Sequence, residues 1–257
     1  MTHAQARILG VRVDVLDLDE AVIRLARIVE LRRAAEQAAP AVVVTLNPEM
    51  VMLARRDAAF ANVLERAALL VPDGIGVVRA VVRRGHPEAV RVPGVDLLDA
   101  YLGVAAARGH RIALAGGGPG IAQAAAGALQ ARFEDLHLVA AEGGAPDDAL
   151  ARRLANARPE VVCAAFGHGR QELFLDAHLQ DIGASVGIGV GGWLDYLAGA
   201  VRRAPKPVRD AGMEWAWRLA LQPWRIRRQL ALPRFWLQER HEARLWQRVR
   251  DPVQRYL

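Results

Sequence analysis

The sequence predicts an α/β fold with a mainly parallel sheet, helices on both faces and a basic helical appendage at the C-terminus. Short apolar runs of strand length alternate with helical segments, which is the pattern of a parallel sheet covered by helices. The chain has 257 residues, of which 53% are hydrophobic, enough for one large domain or a domain with an appendage. Beyond residue 201 the pattern is helical, basic and rich in tryptophan.

The first half of the chain alternates strands with helices. The run Ala41–Leu46 is a buried strand, and it ends at Asn47-Pro48, where Asn as a cap and Pro in the first turn predict a helix start. A tight turn around Asp73 follows a second strand end. The predicted elements are a strand or hairpin arm at 8–15, a long helix at 18–38, strands at 41–46 and 67–71, an apolar helix at 77–82, and a helix after the loop 91–96.

The second half repeats the alternation, and several of its strands run directly into glycines. The predicted elements are strands at 110–115, 136–140, 160–166 and 185–190, with helices at 121–132 and around 147–156. This order predicts a Rossmann-like sheet. The composition changes near Arg202, so we predict an α/β catalytic core at 1–201 and a helical appendage at 202–257.

Charge and tryptophan are concentrated in the predicted appendage. Residues 202–257 carry 14 Lys/Arg against 5 Asp/Glu, whereas the remaining residues carry 20 against 23, and five of the six tryptophans lie in the appendage. Arginine interleaved with tryptophan suits a lipid headgroup boundary, although nucleic acid could use the same residue types. A basic module without catalytic activity is therefore one hypothesis for this chain.

Several other classes of site are not favoured. The single cysteine, Cys163, lies in an apolar run and is predicted to be a buried side chain, so a disulfide framework is excluded and a reducing cytoplasm fits. The N-terminus has no signal-peptide core, and no run is long enough to span a bilayer. The sequence lacks G-x-x-x-x-G-K-[ST], H-E-x-x-H and G-x-S-x-G, and its histidines are scattered, so we predict no metal site and no cofactor. Asp17 and Asp19 open the first predicted helix, where we expect them to cap its N-terminus and to stabilise its dipole.

Asp73 is a lone carboxylate on a turn flanked by glycines, Val71-Pro72-Asp73-Gly74-Ile75-Gly76. In open α/β sheets, ligands bind beyond the carboxyl ends of the strands, where such a residue is a candidate general base. The glycines would let a ligand approach the backbone. Alternatively, Asp73 caps the following helix.

Other polar groups also fall at predicted strand ends and are expected to share one rim of the sheet. They include Thr45, Asn47, Asp73, the loop Gly116–Gly120, Arg170-Gln171-Glu172 and the glycines 189–192. The glycine loop could bind a phosphate through backbone N–H groups, or it could be only a tight turn. In the appendage, Arg218, Arg225 and Arg228 would share one side of a continuous helix if Pro223 only kinks it.

Taken together, these segments resemble the WecG/TagA/CpsF glycosyltransferase family over almost the whole chain. The segments are Thr45-Leu46-Asn47-Pro48-Glu49-Met50, Val71-Pro72-Asp73-Gly74-Ile75-Gly76, Arg91-Val92-Pro93-Gly94-Val95-Asp96, Gly116-Gly117-Gly118-Pro119-Gly120, Gly189-Val190-Gly191-Gly192-Trp193-Leu194-Asp195, Arg203-Ala204-Pro205, Gly212-Met213-Glu214-Trp215-Ala216-Trp217-Arg218-Leu219 and Gln222-Pro223-Trp224-Arg225.

The resemblance implies an inverting transferase that moves a hexose-type sugar, such as ManNAc, ManNAcA or Glc, from a UDP-sugar to a sugar on a polyprenyl diphosphate. It implies work at the cytoplasmic face of the membrane, on surface polysaccharides or teichoic-acid linkage units. Asp73 maps to the proposed base, Thr45 and Asn47 to its pocket, and Arg91 to the arginine ahead of V-x-G-x-D. Arg218, Arg225 and Arg228 map to appendage arginines that meet the membrane and the acceptor diphosphate. Substrate-binding positions are carried to Gly116, Gly117, Gly118, Gln171, Glu172, Gly191 and Asp195.

One segment departs from the family pattern G-x-P-K-Q-E. Here the chain reads Gly167-His168-Gly169-Arg170-Gln171-Glu172, with glycine for the proline and arginine for the lysine. The departure loosens the loop and leaves the donor sugar open.

The partners implied by the resemblance are a UDP-sugar, a polyprenyl-diphosphate-linked sugar and the membrane surface, with no nucleic acid. The oligomeric state is left open, with a homo-oligomer as one option. Without a metal site, arginines and backbone N–H groups would have to offset the diphosphate charge. A nicotinamide-dependent oxidoreductase that uses Gly116–Gly120, with Glu142 holding a ribose, is an alternative of a different class.

Overall fold

The fold is taken from a computed structural model that describes residues 4–35 and 39–254; the side chains at 225, 227 and 248–254 are outside that description. Within these ranges the chain forms two sheets. The strands are β1 Gln5–Ile8, β2 Val11–Asp14, β3 Ala41–Leu46, β4 Leu69–Pro72, β5 Ile112–Gly116, β6 Leu138–Glu142, β7 Val161–Ala165 and β8 Val186–Gly189. β1 and β2 form an antiparallel hairpin, whereas the other six strands are parallel in the order β4-β3-β8-β7-β5-β6.

Thirteen α-helices are described in the same residues. They are α1 Leu18–Ala34, α2 Pro48–Ala54, α3 Ala58–Arg66, α4 Ile75–Arg83, α5 Gly94–Arg108, α6 Ile121–Arg132, α7 Asp148–Ala157, α8 Arg170–Ile182, α9 Trp193–Leu197, α10 Lys206–Asp210, α11 Glu214–Leu221, α12 Ile226–Gln229 and α13 Ala231–Gln254. A 3-10 turn at Pro223–Arg225 separates α11 from α12. No described helix combines the length and the apolar composition needed to cross a bilayer.

The core has two layers because alternate strand residues point to opposite faces of the sheet. Val42 and Val44 of β3 belong to the cluster that contains α2, α3, α4 and α8, whereas Val43 belongs to the cluster that contains α1, α5 and α6. Helices therefore cover both faces, which confirms the predicted fold class. Cys163 is buried in the second cluster, as predicted, and burial raises the pKa of its thiol to about 12.

Most predicted elements are present, with shifted ends. The long first helix ends at Ala34, short of the predicted residue 38, and residues 36–38 are outside the described part of the chain. Asp17 accepts a hydrogen bond from the backbone N–H of Glu20 at 2.8 Å, which confirms its capping role. The strand predicted at 136–140 lies two residues later, and α3 and α8 were not among the predicted elements.

The chain beyond residue 201 is helical and covers the carboxyl ends of the strands. Its longest helix, α13, packs against α2 and α4 and buries Phe235 completely in the core. Arg84 of the α4 end pairs with Glu242, and the backbone N–H of Leu9 donates to Glu242 Oε2 at 2.9 Å. α10 and α11 contain no buried residue. The segment is therefore anchored by α13, while α11 and α12 lie over the strand ends.

Candidate active site

A cavity of about 1180 Å³ lies at the carboxyl ends of the parallel strands. Loops that follow all six parallel strands, β3 to β8, form one wall, as expected for a doubly wound sheet. Residues of the predicted appendage, from Ala211 to Trp236, form the opposite wall. The cavity is therefore enclosed between the strand ends and the C-terminal segment.

Asp73 lies on the wall of this cavity, directly after β4. Its backbone N–H donates to the carbonyl of Leu46 at 3.0 Å, which fixes the turn against the end of β3. The N-cap of α4 is Gly74, and no side chain caps that helix. The alternative that Asp73 caps the helix is therefore wrong.

The side chain of Arg91 contacts both the backbone and the side chain of Asp73. Its Nε donates to the Asp73 carbonyl, and its Nη2 lies 3.3 Å from Asp73 Oδ1. The same Nη2 donates to Glu214 Oε2 at 2.9 Å. Burial raises the pKa of Asp73; the positive charge of Arg91 opposes this shift, and the negative charge of Glu214 adds to it. A carboxylate with a raised pKa that faces a cavity is suited to accept a proton.

The glycines of the Asp73 turn let other parts of the protein pack closely against it. A Cβ on Gly74 would lie 2.6 Å from Pro48 Cδ, and one on Gly76 would lie 2.9 Å from Pro48 Cγ and 3.4 Å from the Phe235 ring. Both glycines also line the cavity, so the expectation that they let a ligand approach the backbone stays a prediction. Their small size lets the end of β3 and helix α13 close against the turn.

Thr45 and Asn47 face the same cavity from β3 and the following turn. The Thr45 side chain packs against Gly94, where a Cβ would lie 2.9 Å from Thr45 Cγ2. Asn47 Oδ1 accepts the backbone N–H of Met50 at 3.1 Å and caps α2, as predicted. The Asn47 amide NH2 is consequently the group that can donate to a ligand.

The glycine loop after β5 divides into two parts. Gly117 and Gly118 line the cavity, whereas Gly116 ends β5, and its Cβ position is filled by the ring of Phe166. Gly116 therefore sits behind the cavity wall. Glu142, which the nicotinamide hypothesis requires, accepts from Arg153 Nε at 2.8 Å.

Gln171 and Glu172 have different positions. Gln171 lines the cavity and accepts the backbone N–H of Gly191 at 3.2 Å. Glu172 is fully buried behind it, with its Oε1 accepting from Gln171 Nε2 at 2.7 Å and its Oε2 from the Gly169 N–H at 2.6 Å. Burial raises the pKa of Glu172 to about 7. The glutamate thus supports the loops around the cavity.

Gly191 and Asp195 also line the cavity, next to α9. Arg218 reaches them from α11, with its guanidinium 5.4 Å from the Tyr196 ring centroid and its Nε buried without a hydrogen-bond partner among the described residues. Arg228 lines the cavity as well, and its Nε donates to Glu49 Oε2 at 3.1 Å.

The predicted alignment of the three appendage arginines needs correction. The helix breaks at Gln222 and resumes after the 3-10 turn, so Arg218 and Arg228 lie on different helices. The side chain of Arg225 lies outside the described part of the chain.

Three residues at the site were not predicted from the sequence. Glu214 contacts Arg91, Glu49 contacts Arg228, and His168 lies 3.6 Å from Glu49 Oε2 through its Nδ1. All three line the cavity, as does Arg170 of the loop 167–172, which departs from the family pattern. Among the described side chains, no group of three His, Cys, Asp or Glu residues converges as a metal site would require.

Comparisons with known proteins identify the family of the chain. Residues 6–250 match the glycosyl transferase WecG/TagA/CpsF family. A protein of Bacillus subtilis (strain 168), named N-acetylglucosaminyldiphosphoundecaprenol N-acetyl-beta-D-mannosaminyltransferase, is 31% identical over 202 residues, covering 78% of this chain and 79% of the relative. A protein of the same name from Staphylococcus aureus (strain MW2) is 34% identical over 196 residues, covering 75% and 77%. The match favours a transferase over the nicotinamide-dependent alternative.

Proposed function

The chain belongs to the glycosyl transferase WecG/TagA/CpsF family, and from that premise we propose that it moves a hexose-type sugar from a UDP-sugar to a sugar on a polyprenyl diphosphate, with inversion. The observation that carries the proposal is the contact of Asp73 with Arg91 in a cavity closed by arginines of the C-terminal segment. A base, an adjacent cation and a covered site are what such a transfer requires.

Asp73 is the proposed base. Its carboxylate takes the proton of an acceptor hydroxyl as that oxygen attacks the anomeric carbon of the donor, and the bond between this carbon and the UDP oxygen breaks. Inversion follows because attack and departure occur on opposite faces of the sugar. Thr45 and Asn47, which face the same space, are proposed to position the reacting sugars.

The charge of two diphosphates must be offset at this site. Arg218 and Arg228, which line the cavity, and Arg225 are proposed to bind the acceptor diphosphate. Arginine suits this role because its planar fork matches phosphate oxygens. On the donor side, Arg91 and the backbone at Gly117, Gly118 and Gly191 are the proposed contacts, and Gln171 fixes the Gly191 backbone. Gly116 and Glu172 support these loops from behind.

Membrane association is proposed to run through the C-terminal segment. Its exposed apolar side chains are interspersed with its arginines along the chain, a composition typical of proteins that bind the headgroup region of a bilayer. They are Met213, Trp215, Leu221, Trp224, Ile226, Leu230, Leu237 and Leu245, and Trp224 and Leu237 are 71% and 73% exposed. The proposal places the enzyme at the inner face of the cell membrane, where the polyprenyl substrate lies.

The names of the relatives favour N-acetylmannosamine as the transferred sugar and a diphospholipid-linked N-acetylglucosamine as the acceptor. The experiment is a screen of UDP-ManNAc, UDP-ManNAcA and UDP-Glc against short-chain polyprenyl-diphosphate-GlcNAc and polyprenyl-diphosphate-Glc. A disaccharide lipid of inverted anomeric configuration from one pair supports the proposal. If the protein binds UDP but turns over none of the six donor and acceptor pairs, the proposal is contradicted.

A further inference from the structure

Glu214 and Asp73 share a single nitrogen of Arg91. Arg91 Nη2 lies 2.9 Å from Glu214 Oε2 and 3.3 Å from Asp73 Oδ1. Glu214 begins α11 in the C-terminal segment, whereas Asp73 and Arg91 belong to the sheet domain. We propose that Glu214 is a positioning residue that couples seating of the C-terminal segment to the basicity of Asp73. This inference rests on the proposed function, in which Asp73 is the base.

Glu214 is held on two sides. Its side chain is 14% exposed, and its Oε1 lies 3.9 Å from Arg203 Nε on the side away from Arg91. Arg203 in turn donates to Asp96 Oδ1 at 2.7 Å. A chain of alternating charges therefore runs from Asp73 to Asp96, and Glu214 is its member from the covering helices. The contact of Glu214 with Arg91 therefore depends on the position of those helices over the sheet.

The charges explain how this contact acts on Asp73. A guanidinium beside one carboxylate stabilises its ionised form and so makes it a weaker base. When a second carboxylate contacts the same nitrogen, its negative charge offsets part of the stabilisation that the guanidinium gives to the first. Burial is the main cause of the raised pKa of Asp73; Arg91 opposes that shift and the negative charge of Glu214 adds to it. The other charged groups on the cavity wall are Arg79, Arg170, Arg218, Arg228, Glu49 and Asp195, with His168, and Arg203 and Asp96 lie behind Glu214.

The coupling has a consequence for specificity. Glu214 reaches Arg91 only from the covering segment, so the full strength of the Asp73 base requires that segment in its observed position over the cavity. The arrangement favours transfer to an enclosed acceptor over hydrolysis of the donor by water.

The test is the pH dependence of kcat/KM for Glu214→Gln, which removes the charge but keeps an oxygen for Arg91. We expect the acidic limb of the kcat/KM profile to shift to lower pH by about 1 unit, and the maximum value of kcat/KM to fall about threefold to tenfold. Glu214→Asp, which retains the charge, should leave the limb closer to that of the unmodified protein. The matched control is Glu242→Gln, which removes another contact of the C-terminal segment, to Arg84 and the Leu9 N–H, away from Asp73.

A second readout is independent of turnover. Carbon-13 NMR of labelled aspartate carboxyls, assigned with Asp73→Asn, reports the pKa of Asp73 directly, and we expect Glu214→Gln to lower it. An unchanged limb and an unchanged pKa would overturn the inference, as would equal shifts in Glu214→Gln and Glu242→Gln. If the unmodified protein turns over no sugar pair, the proposed function fails while the NMR titration still decides the coupling.

Discussion

The guanidinium of Arg218 occupies the space that a side chain at Gly192 would fill. A Cβ atom on Gly192 would collide with Arg218 Nη2, and it would lie 3.4 Å from Asp195 Oδ2. Gly192 follows β8 at the rim of the sheet, whereas Arg218 comes from α11 of the covering segment. An absent side chain on one wall of the cavity therefore allows a cation from the other wall to reach the site.

Gly192→Ala should displace the Arg218 guanidinium without unfolding the chain. The backbone at this position has φ −93°, which alanine adopts readily. We expect the acceptor KM to rise about tenfold, because one charge-assisted contact to a diphosphate contributes about 1.5 kcal/mol. Initial-rate kinetics at varied acceptor concentration measure it. Gly103→Ala, at a helical position where a Cβ meets nothing within 4 Å, is the control and should leave KM unchanged. A rise in donor KM alone would contradict the assignment of Arg218.

Glu172 predicts a specific pH dependence of stability. Its pKa is about 7 in the folded protein, above its ordinary value of 4.5, because the carboxyl is buried. The folded state therefore binds the proton more tightly than the unfolded state, and this contribution to the free energy of unfolding is lost as the pH rises from 4.5 to about 7. The loss could reach about 3 kcal/mol.

Urea unfolding between pH 4.5 and pH 8 measures this effect. Glu172→Gln removes the titrating group, so the decline in unfolding free energy across that range should be smaller than in the unmodified protein. The same slope in both proteins would show that another group causes the decline.

The exposed apolar side chains of the covering segment predict how it binds membranes. Burial of one large apolar side chain contributes about 2 kcal/mol, so the pair Trp224→Ser and Leu230→Ser should weaken binding to anionic vesicles at least about tenfold. Vesicle flotation measures it. Ile23→Ser with Leu31→Ser, at exposed positions of α1, removes apolar side chains from a helix outside the C-terminal segment and should leave binding unchanged. Equal losses in both pairs would contradict the proposed membrane surface.

Local signals accounted for much of the fold. The Asn47-Pro48 helix start and the strand β3 were predicted from the residues alone, because capping and apolar runs are local properties. Helix α3 was missed although its signal was present. Asp57 caps it, and Phe60, Val63 and Leu64 are buried at helical spacing.

Other parts of the site could not be read from local patterns. Glu214 meets Arg91 across 123 positions and Arg228 meets Glu49 across 179, and no periodicity encodes such pairs. The strand-end rule did bring Thr45, Asn47 and Asp73 to one rim, since parallel strands share that edge. The arginines that face this rim could not be predicted, because their positions depend on how the helices after residue 205 pack over the sheet. The boundary at residue 201 stays a prediction.

The central claim, that Asp73 is the base, is tested most directly by the single-turnover rate of Asp73→Asn with saturating donor and acceptor. Asparagine keeps the shape and the hydrogen bond to Arg91 but cannot take the proton, so we predict a fall of about 10³-fold with UDP affinity unchanged. Asp57→Asn, at the cap of α3, should keep the full rate. An Asp73→Asn protein that retains the full rate would contradict the account.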